Sequence, residues 1–357
     1  MAFGVYLHIP FCARRCDYCA FATWTDRHHL TDAYLAACRT ELARAPLPKA
    51  TSVFVGGGTP SLVPPASLAA LIASVDVEDG AEITVECNPD NVTPYLIDTL
   101  LEAGVNRLSF GAQSMVPHVL GGLGRAHDPA AVVAAARLAR AARVPTWNVD
   151  LIFGGFGESD RDWRRSLDEI VALSPTHVSA YALTVERGTR LAADPWRHPV
   201  QDVQADRYLV AEEILSAAGL VNYEISNWAR PGHECRHNLL YWAQGDYRGI
   251  GCAAHSHEGG RRWWNVRTPE RYIEAIAWDR SPVAGFEELE PPLRIREALE
   301  LALRTRAGVP ARSLADLDMI VDAGLVTITD GQAVLTPDGR LLANEVAIRI
   351  TVPEVVG

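Results

Sequence analysis

Short apolar runs alternate with amphipathic helical patterns over the first half of the chain. The apolar runs predict six strands, at residues 5–9, 52–55, 82–86, 107–110, 146–153 and 177–183. The spacing of Ala, Leu and Arg, with helix-stop residues, predicts intervening helices at residues 32–45, 67–74, 94–103, 129–142 and 161–173. Alternation of this kind indicates an α/β fold with parallel strands and right-handed crossovers.

Unusual residues follow the ends of these strands. Cysteines follow the first strand, a Gly-Gly-Gly-Thr-Pro turn follows the second, Glu86 ends the third, Gln113 follows the fourth and Asp150 lies on the fifth. A barrel collects polar groups from every strand at one rim, whereas a doubly wound sheet concentrates them at one switch point. We therefore predict a partial (β/α)6 TIM-like barrel over residues 1–184.

The pattern changes after residue 184. One long helix is predicted at residues 201–218, followed by a loop-rich stretch that is rich in His, Trp and Gly, and we assign residues 185–289 to a C-terminal α+β extension. A Pro-rich break at Glu290-Pro291-Pro292 separates the last segment. There, helices from residue 293 and near 314–323, then strands at 325–328 and 333–335, predict a small winged-helix-like module over residues 290–357.

Composition and charge exclude several classes of protein and of binding partner. The chain has 357 residues, of which 48% are hydrophobic and 22% charged, as in folded globular proteins. A net charge of −11 disfavours nucleic acids and anionic membrane surfaces as partners. The sequence contains no run of about 18 apolar residues that would span a bilayer. We therefore expect a cytoplasmic protein with no integral membrane segment.

Three of the seven cysteines lie within eight residues, directly after the first predicted strand: Cys12, Cys16 and Cys19. In a reducing compartment such clustering points to metal or redox chemistry rather than disulfides. Three thiolates can hold three irons of a [4Fe–4S] cluster and leave the fourth iron open to an external ligand. Two alternatives remain: structural zinc with His28 or His29 as fourth ligand, and a redox CxxC pair.

The spacing CxxxCxxC and its surroundings, YLHIPFCARRCDYCAF, resemble the radical S-adenosylmethionine (SAM) superfamily. The similarity is greatest to the group that contains oxygen-independent coproporphyrinogen III dehydrogenases (HemN) and heme chaperones (HemW). It extends over the whole chain through VGGGTPSL, VECNPD, RLSFGAQS, LGRAH, NVDLIFG, NYEISNWA, HNLLYW and GIGCAAHS. The resemblance implies a [4Fe–4S] cluster and SAM, and for the chaperones also heme.

The resemblance also implies roles for individual residues. The cluster ligands are Cys12, Cys16 and Cys19, and the SAM contacts are Tyr6, Tyr18, Gly57, Gly58, Thr59, Glu86, Gln113, Arg125 and Asp150. Glu86 is expected to be an acidic SAM ligand, Gln113 and Asp150 to bind the ribose hydroxyls, and Arg125 to clamp the SAM carboxylate. One departure stands out: Gly154-Gly155-Phe156-Gly157 replaces the family's Gly-Leu-Pro, which puts the local loop shape in doubt.

Two functions compete within this group. Dehydrogenases carry a fourth cysteine, CxxxCxxCxC, where this chain has Phe21, and they have a longer amino-terminal segment. Both differences favour a heme chaperone, without coproporphyrinogen dehydrogenase activity, that passes heme to acceptor apoproteins. His237 of the HNLLYW motif is the candidate heme ligand, because imidazole ligates heme iron. The sequence leaves open whether the chain forms a homodimer.

Two weaker alternatives concern other residues and another function class. A second zinc site could be drawn from two clusters, which are His233, Cys235 and His237, and Cys252, His255 and His257, but neither has ordinary finger spacing. RNA-modifying radical SAM proteins also use CxxxCxxC, yet this acidic chain offers no evident basic face for RNA.

Overall fold

A computed structural model describes residues 2–351, and its central feature is a set of six parallel strands. They are β1 (Phe3–Ile9), β2 (Ala50–Gly57), β3 (Val77–Cys87), β4 (Arg107–Gln113), β5 (Thr146–Phe153) and β6 (His177–Ala182). Each pairs with the next in chain order. The six predicted strands are confirmed, and four of them are longer than predicted because glycine, alanine and polar residues at their ends continue the pairing.

Helices cross over between these strands. They are α1 (Thr31–Arg44), α2 (Pro65–Ile72), α3 (Pro94–Glu102), α4 (Pro117–Gly122), α5 (Pro129–Ala141) and α6 (Asp160–Ala172), and α7 (Gln201–Ala217) follows β6. All predicted helices are confirmed, whereas α4 was not predicted because it is short and ends in two glycines. Outward-facing strand residues such as Val53 and Val55 are fully buried in the same core as Leu68 and Leu71 of α2.

The region after α7 differs from the predicted loop-rich stretch. It contains β7 (Val221–Glu224), β8 (Asn227–Ala229), α8 (Arg236–Trp242), β9 (Asp246–Ile250), β10 (His255–Glu258), β11 (Arg261–Asn265), α9 (Pro269–Ala277) and β12 (Val283–Glu288). The loop-rich prediction is therefore wrong. These strands are short and lack clean apolar alternation, so their pairing with the sheet, rather than their own pattern, determines them.

These strands extend the sheet at both of its edges. β8 pairs antiparallel with β6, and β9 pairs parallel with β1. The sheet order is β12-β11-β10-β9-β1-β2-β3-β4-β5-β6-β8-β7. Residues 185–289 thus continue the sheet of the first 184 residues, and both open edges of the six-stranded set are covered.

The sheet curls, and its inner face is polar. Residues of β1 and of β6, such as Tyr6 and Ser179, line one cavity of about 150 Å³. Helix α8 closes the cavity at the amino-terminal end of the strands, where a Cβ added to Gly4 would lie 2.6 Å from Leu240. The cysteine loop follows the opposite, carboxyl end of β1. The fold therefore places the site at the open end of a curled sheet with a polar interior.

The last segment forms a separate small sheet with its own core. Its elements are α10 (Pro291–Leu303), β13 (Val309–Pro310), α11 (Leu317–Asp322), β14 (Val326–Thr329), β15 (Gln332–Leu335), α12 (Pro337–Leu341) and α13 (Ala343–Ala347). The predicted helix, second helix and hairpin are confirmed, whereas residues 352–357 of that prediction lie outside the described residues. Across residues 2–351, every helix is too short or too polar to span a membrane.

Candidate functional site

The three clustered cysteines lie on the loop that follows β1, and all three are half-buried free thiols. The Thr59 hydroxyl donates a hydrogen bond to Cys12 Sγ at 3.6 Å, and Arg125 Nη1 donates to Cys16 Sγ at 3.5 Å. Burial raises the pKa of the Cys12 and Cys19 thiols. Donors aimed at sulfur favour the thiolate form, so this loop has the chemistry of a thiolate ligand set.

A single metal ion and a cluster make different demands on these thiols. Among residues 2–351, no three His, Cys, Asp or Glu side chains converge on a point that could hold one metal ion. A zinc ion needs all its ligands at about 2.0–2.3 Å from one centre. An iron–sulfur cluster instead offers a different iron to each thiolate, so its ligands need not converge. Neither zinc alternative thus has a preformed site among residues 2–351. The three half-buried thiols on one loop, two of which receive hydrogen bonds at sulfur, match the thiolate donor set of a [4Fe–4S] cluster.

Asp17 anchors the cysteine loop to the segment after β6. Its carboxylate accepts a hydrogen bond from Arg197 Nη2 at 2.8 Å, and its carbonyl accepts one from the Leu191 amide at 2.9 Å. Its own amide donates to the Leu123 carbonyl at 3.2 Å. The sequence analysis missed this anchor, because the partners are about 110 and 180 residues away in the chain.

The glycines at the end of β2 allow the backbone of this turn to approach the start of the cysteine loop closely. Gly57 has φ of +104°, and its amide donates to Glu86 Oε2 at 3.2 Å. A Cβ on Gly58 would lie 2.7 Å from the carbonyl oxygens of Ile9 and Phe11, at the start of the cysteine loop. Any side chain at Gly58 would thus push the turn away from the loop. Gly57, Gly58 and Thr59, which the resemblance implies as SAM contacts, thus lie beside the cysteine loop.

Two carboxylates line the cavity below this turn. Asp150 accepts hydrogen bonds from Ser109 Oγ at 2.9 Å and from Asn148 Nδ2 at 2.7 Å, and burial raises its pKa. Burial, and then repulsion by Asp150, raises the pKa of Glu86 to about 7. Both carboxylates are therefore placed to receive a cationic ligand, whose charge would favour their ionised forms.

Arg125 and Gln113 lie together at the end of β4. Arg125 Nη2 donates to the Gly111 carbonyl at 2.6 Å and to Asn88 Oδ1 at 2.9 Å. Gln113 has φ of +65° at an irregularity in the β4–β5 pairing. Arg125 thus bridges Cys16 and β4, and its buried Nε has no hydrogen-bond partner. The structure brings these two predicted SAM residues together beside Gly111.

The two predicted tyrosines have different surroundings. Tyr6 is on the inner face of β1 and lines the cavity. Its hydroxyl oxygen lies 3.0 Å from His8 Nδ1. Tyr18 packs on a small apolar cluster that includes Val116 and Leu123. Burial raises the pKa of both phenols.

His237, the predicted heme ligand, is on α8 at the closed end of the cavity and is 1% exposed. Its Nδ1 lies 2.9 Å from Ser52 Oγ, and its Nε2 lies 2.8 Å from the Tyr241 hydroxyl. Burial lowers its pKa to about 3, so the ring is neutral. Both ring nitrogens are occupied in this conformation. Iron ligation by His237 therefore requires that one of these contacts break.

The unusual loop Gly154-Gly155-Phe156-Gly157 is fixed by a buried ion pair. The Glu158 side chain is 0% exposed, accepts a hydrogen bond from the Gly154 amide at 2.7 Å, and lies 2.8 Å from Arg207 Nη1 of α7. The rigidity that a proline would give to this loop is thus supplied by a carboxylate and a guanidinium.

We expect Arg207→Met to destabilise the protein by about 3 kcal/mol, because it leaves the Glu158 carboxylate buried without a cation. The pKa of Glu158 is already raised to about 7 by burial. A raised carboxyl pKa means that stability falls as pH rises from about 4.5 towards the folded-state value. The loss should therefore be larger at pH 8 than at pH 6, as measured by urea unfolding. Equal losses at both pH values would contradict this role.

Comparison with known proteins identifies the relatives of this chain. The sequence profile of the radical SAM superfamily matches residues 6–170. The heme chaperone HemW of Mycobacterium tuberculosis is 43% identical over 364 aligned positions, which cover 96% of this chain and 93% of that protein. The heme chaperone HemW of Bacillus subtilis is 33% identical, with coverage of 96% and 97%.

A solved structure shares the fold. The coproporphyrinogen III oxidase HemN of Escherichia coli, a radical SAM enzyme, superposes with a TM-score of 0.83 over 97% of this chain and 89% of that chain. Its sequence identity is 22%, so this likeness establishes the fold and not the activity.

Proposed function

Because this chain belongs to the radical SAM superfamily and, within it, to the family of heme chaperones, we propose that it binds heme and transfers it to acceptor proteins. The observation that carries this proposal is the 43% identity to a heme chaperone over nearly the full length of both chains. The absence of a fourth cysteine at Phe21 agrees with it.

Cys12, Cys16 and Cys19 are the proposed ligands of a [4Fe–4S] cluster. The bound cluster supplies an iron with a free coordination position for SAM and a source of single electrons. The protein's own residues prepare the ligands: Thr59 and Arg125 donate to sulfur and favour the thiolates. The Asp17 anchor, which lies between two of the ligands, holds the loop in place.

Three of the proposed SAM residues, Tyr6, Glu86 and Asp150, line the cavity. Glu86 and Asp150 supply negative charge for a cationic ligand, and Tyr6 forms the adjoining wall. Backbone groups of Gly57 and Gly58 would receive the polar end of SAM, and Gln113, Tyr18 and Arg125 complete the set. These assignments are supported by the shared location of the residues at one end of the sheet.

We retain His237 as the proposed heme ligand, and the structure defines what its use requires. Tyr241 must release Nε2, because this hydroxyl occupies the nitrogen at 2.8 Å. The neutral ring then has a lone pair for iron. Removing the Tyr241 hydroxyl should therefore help heme binding, whereas removing the imidazole should weaken it.

An anaerobic heme titration of the cluster-reconstituted protein tests these points. We expect stoichiometric binding by the wild type, at least tenfold weaker binding by His237→Ala, and binding as tight or tighter by Tyr241→Phe. A purely structural role for His237 predicts weaker binding in both variants, since each breaks the same buried contact. Soret spectra of the three proteins report whether the axial ligand changes.

Failure of the wild type to bind heme saturably would overturn the chaperone proposal. Turnover of coproporphyrinogen III with SAM and a reductant would then be the next assay, because it tests the dehydrogenase alternative directly. We also propose that the chain works in the cytoplasm, where its thiols stay reduced. Light scattering of the reconstituted protein at several concentrations tests for a homodimer.

A further inference from the structure

Arg107 is a buried cation that has no partner. It begins β4 on the inner face of the sheet, and the residue is 3% exposed. Among the described residues, its guanidinium makes no hydrogen bond and no ion pair within 4.0 Å, and its Nε is buried without a partner. Burying an unpaired charge costs several kcal/mol, so a compensating interaction at longer range is needed.

Three carboxylates lie on the inner face of the sheet with Arg107, and two of them line its cavity. Glu86 and Asp150 line the same cavity as Arg107. Glu82, on the same face of β3, accepts hydrogen bonds from the backbone amides of Arg236 and His237 at 3.1 Å each. No carboxylate of this group has an arginine or lysine within ion-pair distance in residues 2–351. Among the described residues that line the cavity, Arg107 is the one arginine or lysine.

The other titratable groups that face the cavity are neutral near pH 7. Burial lowers the pKa of His177 and His237, which keeps both imidazoles uncharged. Burial raises the pKa of the tyrosines and of the thiol, which keeps them protonated: Tyr6, Tyr181, Tyr223, Tyr241 and Cys235. Burial also raises the pKa of Glu224 to about 7, but this residue ends β7 and does not line the cavity. Among the described residues that line the cavity, the remaining titratable groups are thus Arg107, Glu86 and Asp150.

The field of Arg107 opposes the effect of burial on the two SAM-side carboxylates. Burial is the main cause of the raised pKa of Asp150 and of Glu86, and attraction to Arg107 acts in the opposite direction on both. In a poorly solvated interior such attraction reaches beyond hydrogen-bond distance. Without the guanidinium, the carboxylates would retain their protons to a higher pH.

We propose that Arg107 is a positioning residue that favours the ionised forms of Glu86 and Asp150 for SAM binding, acting through space from the closed end of the cavity. The proposal rests on the proposed SAM site, because it assigns Arg107 a role through two of its residues. Arg107 does not itself touch SAM, since it lies at the amino-terminal end of β4 and the cysteine loop lies at the carboxyl end of the strands.

The test measures SAM affinity against pH from 6 to 9 for the cluster-reconstituted full-length chain. In Arg107→Gln the midpoint of the pH dependence should rise by about one unit. Affinity should then be about tenfold lower near pH 7 and recover at the upper end of the range. Arg107→Lys keeps the charge and should keep the wild-type midpoint. Arg340→Gln, which removes a mostly buried guanidinium beside Glu212 on α7, is the matched control and should not move the midpoint.

A second readout does not involve SAM. The free energy of unfolding of the full-length chain is measured over the same pH range without added SAM. A carboxyl whose folded-state pKa is raised loses stability as pH rises above its unfolded value, until pH passes the folded value. In Arg107→Gln this decline should continue to a higher pH than in the wild type.

The outcomes separate this proposal from the proposed function. A wild type that fails to bind SAM contradicts the SAM site, while the unfolding series still tests Arg107. An Arg107→Gln protein with wild-type midpoints in both series overturns the role of Arg107, as does affinity that is lost equally at every pH. If Arg107→Gln does not fold, the lysine variant decides: a wild-type midpoint supports the proposal, and a raised midpoint in folded protein overturns it.

Discussion

Cys16→Ser is expected to abolish assembly of the [4Fe–4S] cluster. Cys16 is one of three proposed ligands on a single loop, and its sulfur receives the Arg125 hydrogen bond at 3.5 Å. A serine hydroxyl is far less acidic than a thiol and is a poor ligand for iron. After anaerobic reconstitution, iron and sulfide content should fall from about four of each per chain to near zero, with loss of the visible cluster absorption.

The matched control is Cys38→Ala. Cys38 lies on α1, is 1% exposed, and belongs to the apolar core rather than to the cysteine loop. Its replacement should leave the iron and sulfide content unchanged at a modest cost in stability, since a small cavity forms. A Cys16→Ser protein that retains a full cluster would contradict the assignment. A wild type that binds one zinc ion and no iron would revive the zinc alternative.

Glu86→Gln is expected to weaken SAM binding by about ten- to a hundredfold at pH 8, since a charge-assisted contact is worth about 1.5–3 kcal/mol. The pH dependence should change as well. With a pKa raised to about 7, Glu86 ionises between about pH 6 and pH 8, so wild-type affinity for the cationic ligand should rise over that range. Calorimetry on reconstituted protein measures both effects.

Glu41→Gln is the control for this experiment. Glu41 is another largely buried carboxylate, but it binds the Gly251 amide at 3.2 Å and the Tyr272 hydroxyl, between α1 and α9 and away from the cavity. Its replacement should leave SAM affinity and its pH dependence unchanged. An unaltered rise with pH in Glu86→Gln would show that another group titrates, and Asp150 would be tested next in the same way.

Local patterns predicted much of the framework. The six strands of the curled sheet and their crossover helices follow from apolar runs and helix-stop residues, because burial against neighbouring layers demands such periodicity. The cysteine loop could also be predicted from the sequence, since its three proposed ligands lie within eight residues. The loop-rich interpretation failed over β9 to β12, where open sheet edges impose pairing on sequences with weak strand patterns.

The sequence predicted only part of the candidate site. Glu86 and Asp150 could be singled out at strand ends, and the resemblance supplied Gln113 and Arg125, yet neither source indicated their partners. Arg125 contacts Cys16 from 109 residues away, and Arg197 reaches Asp17 across 180 residues. Such contacts leave no periodic signal in the sequence, because they depend on how distant segments are brought together.

The sequence by itself determined the six parallel strands with their crossover helices, the position of the cysteine loop and the family resemblance, since each is encoded in local spacing. Only the tertiary structure decided that α8 closes the cavity, that both ring nitrogens of His237 are occupied, and that Arg107 lies unpaired among carboxylates. The physical reason is that burial, and with it the charge state of an interior group, is a property of the whole packed chain and not of any short stretch of it.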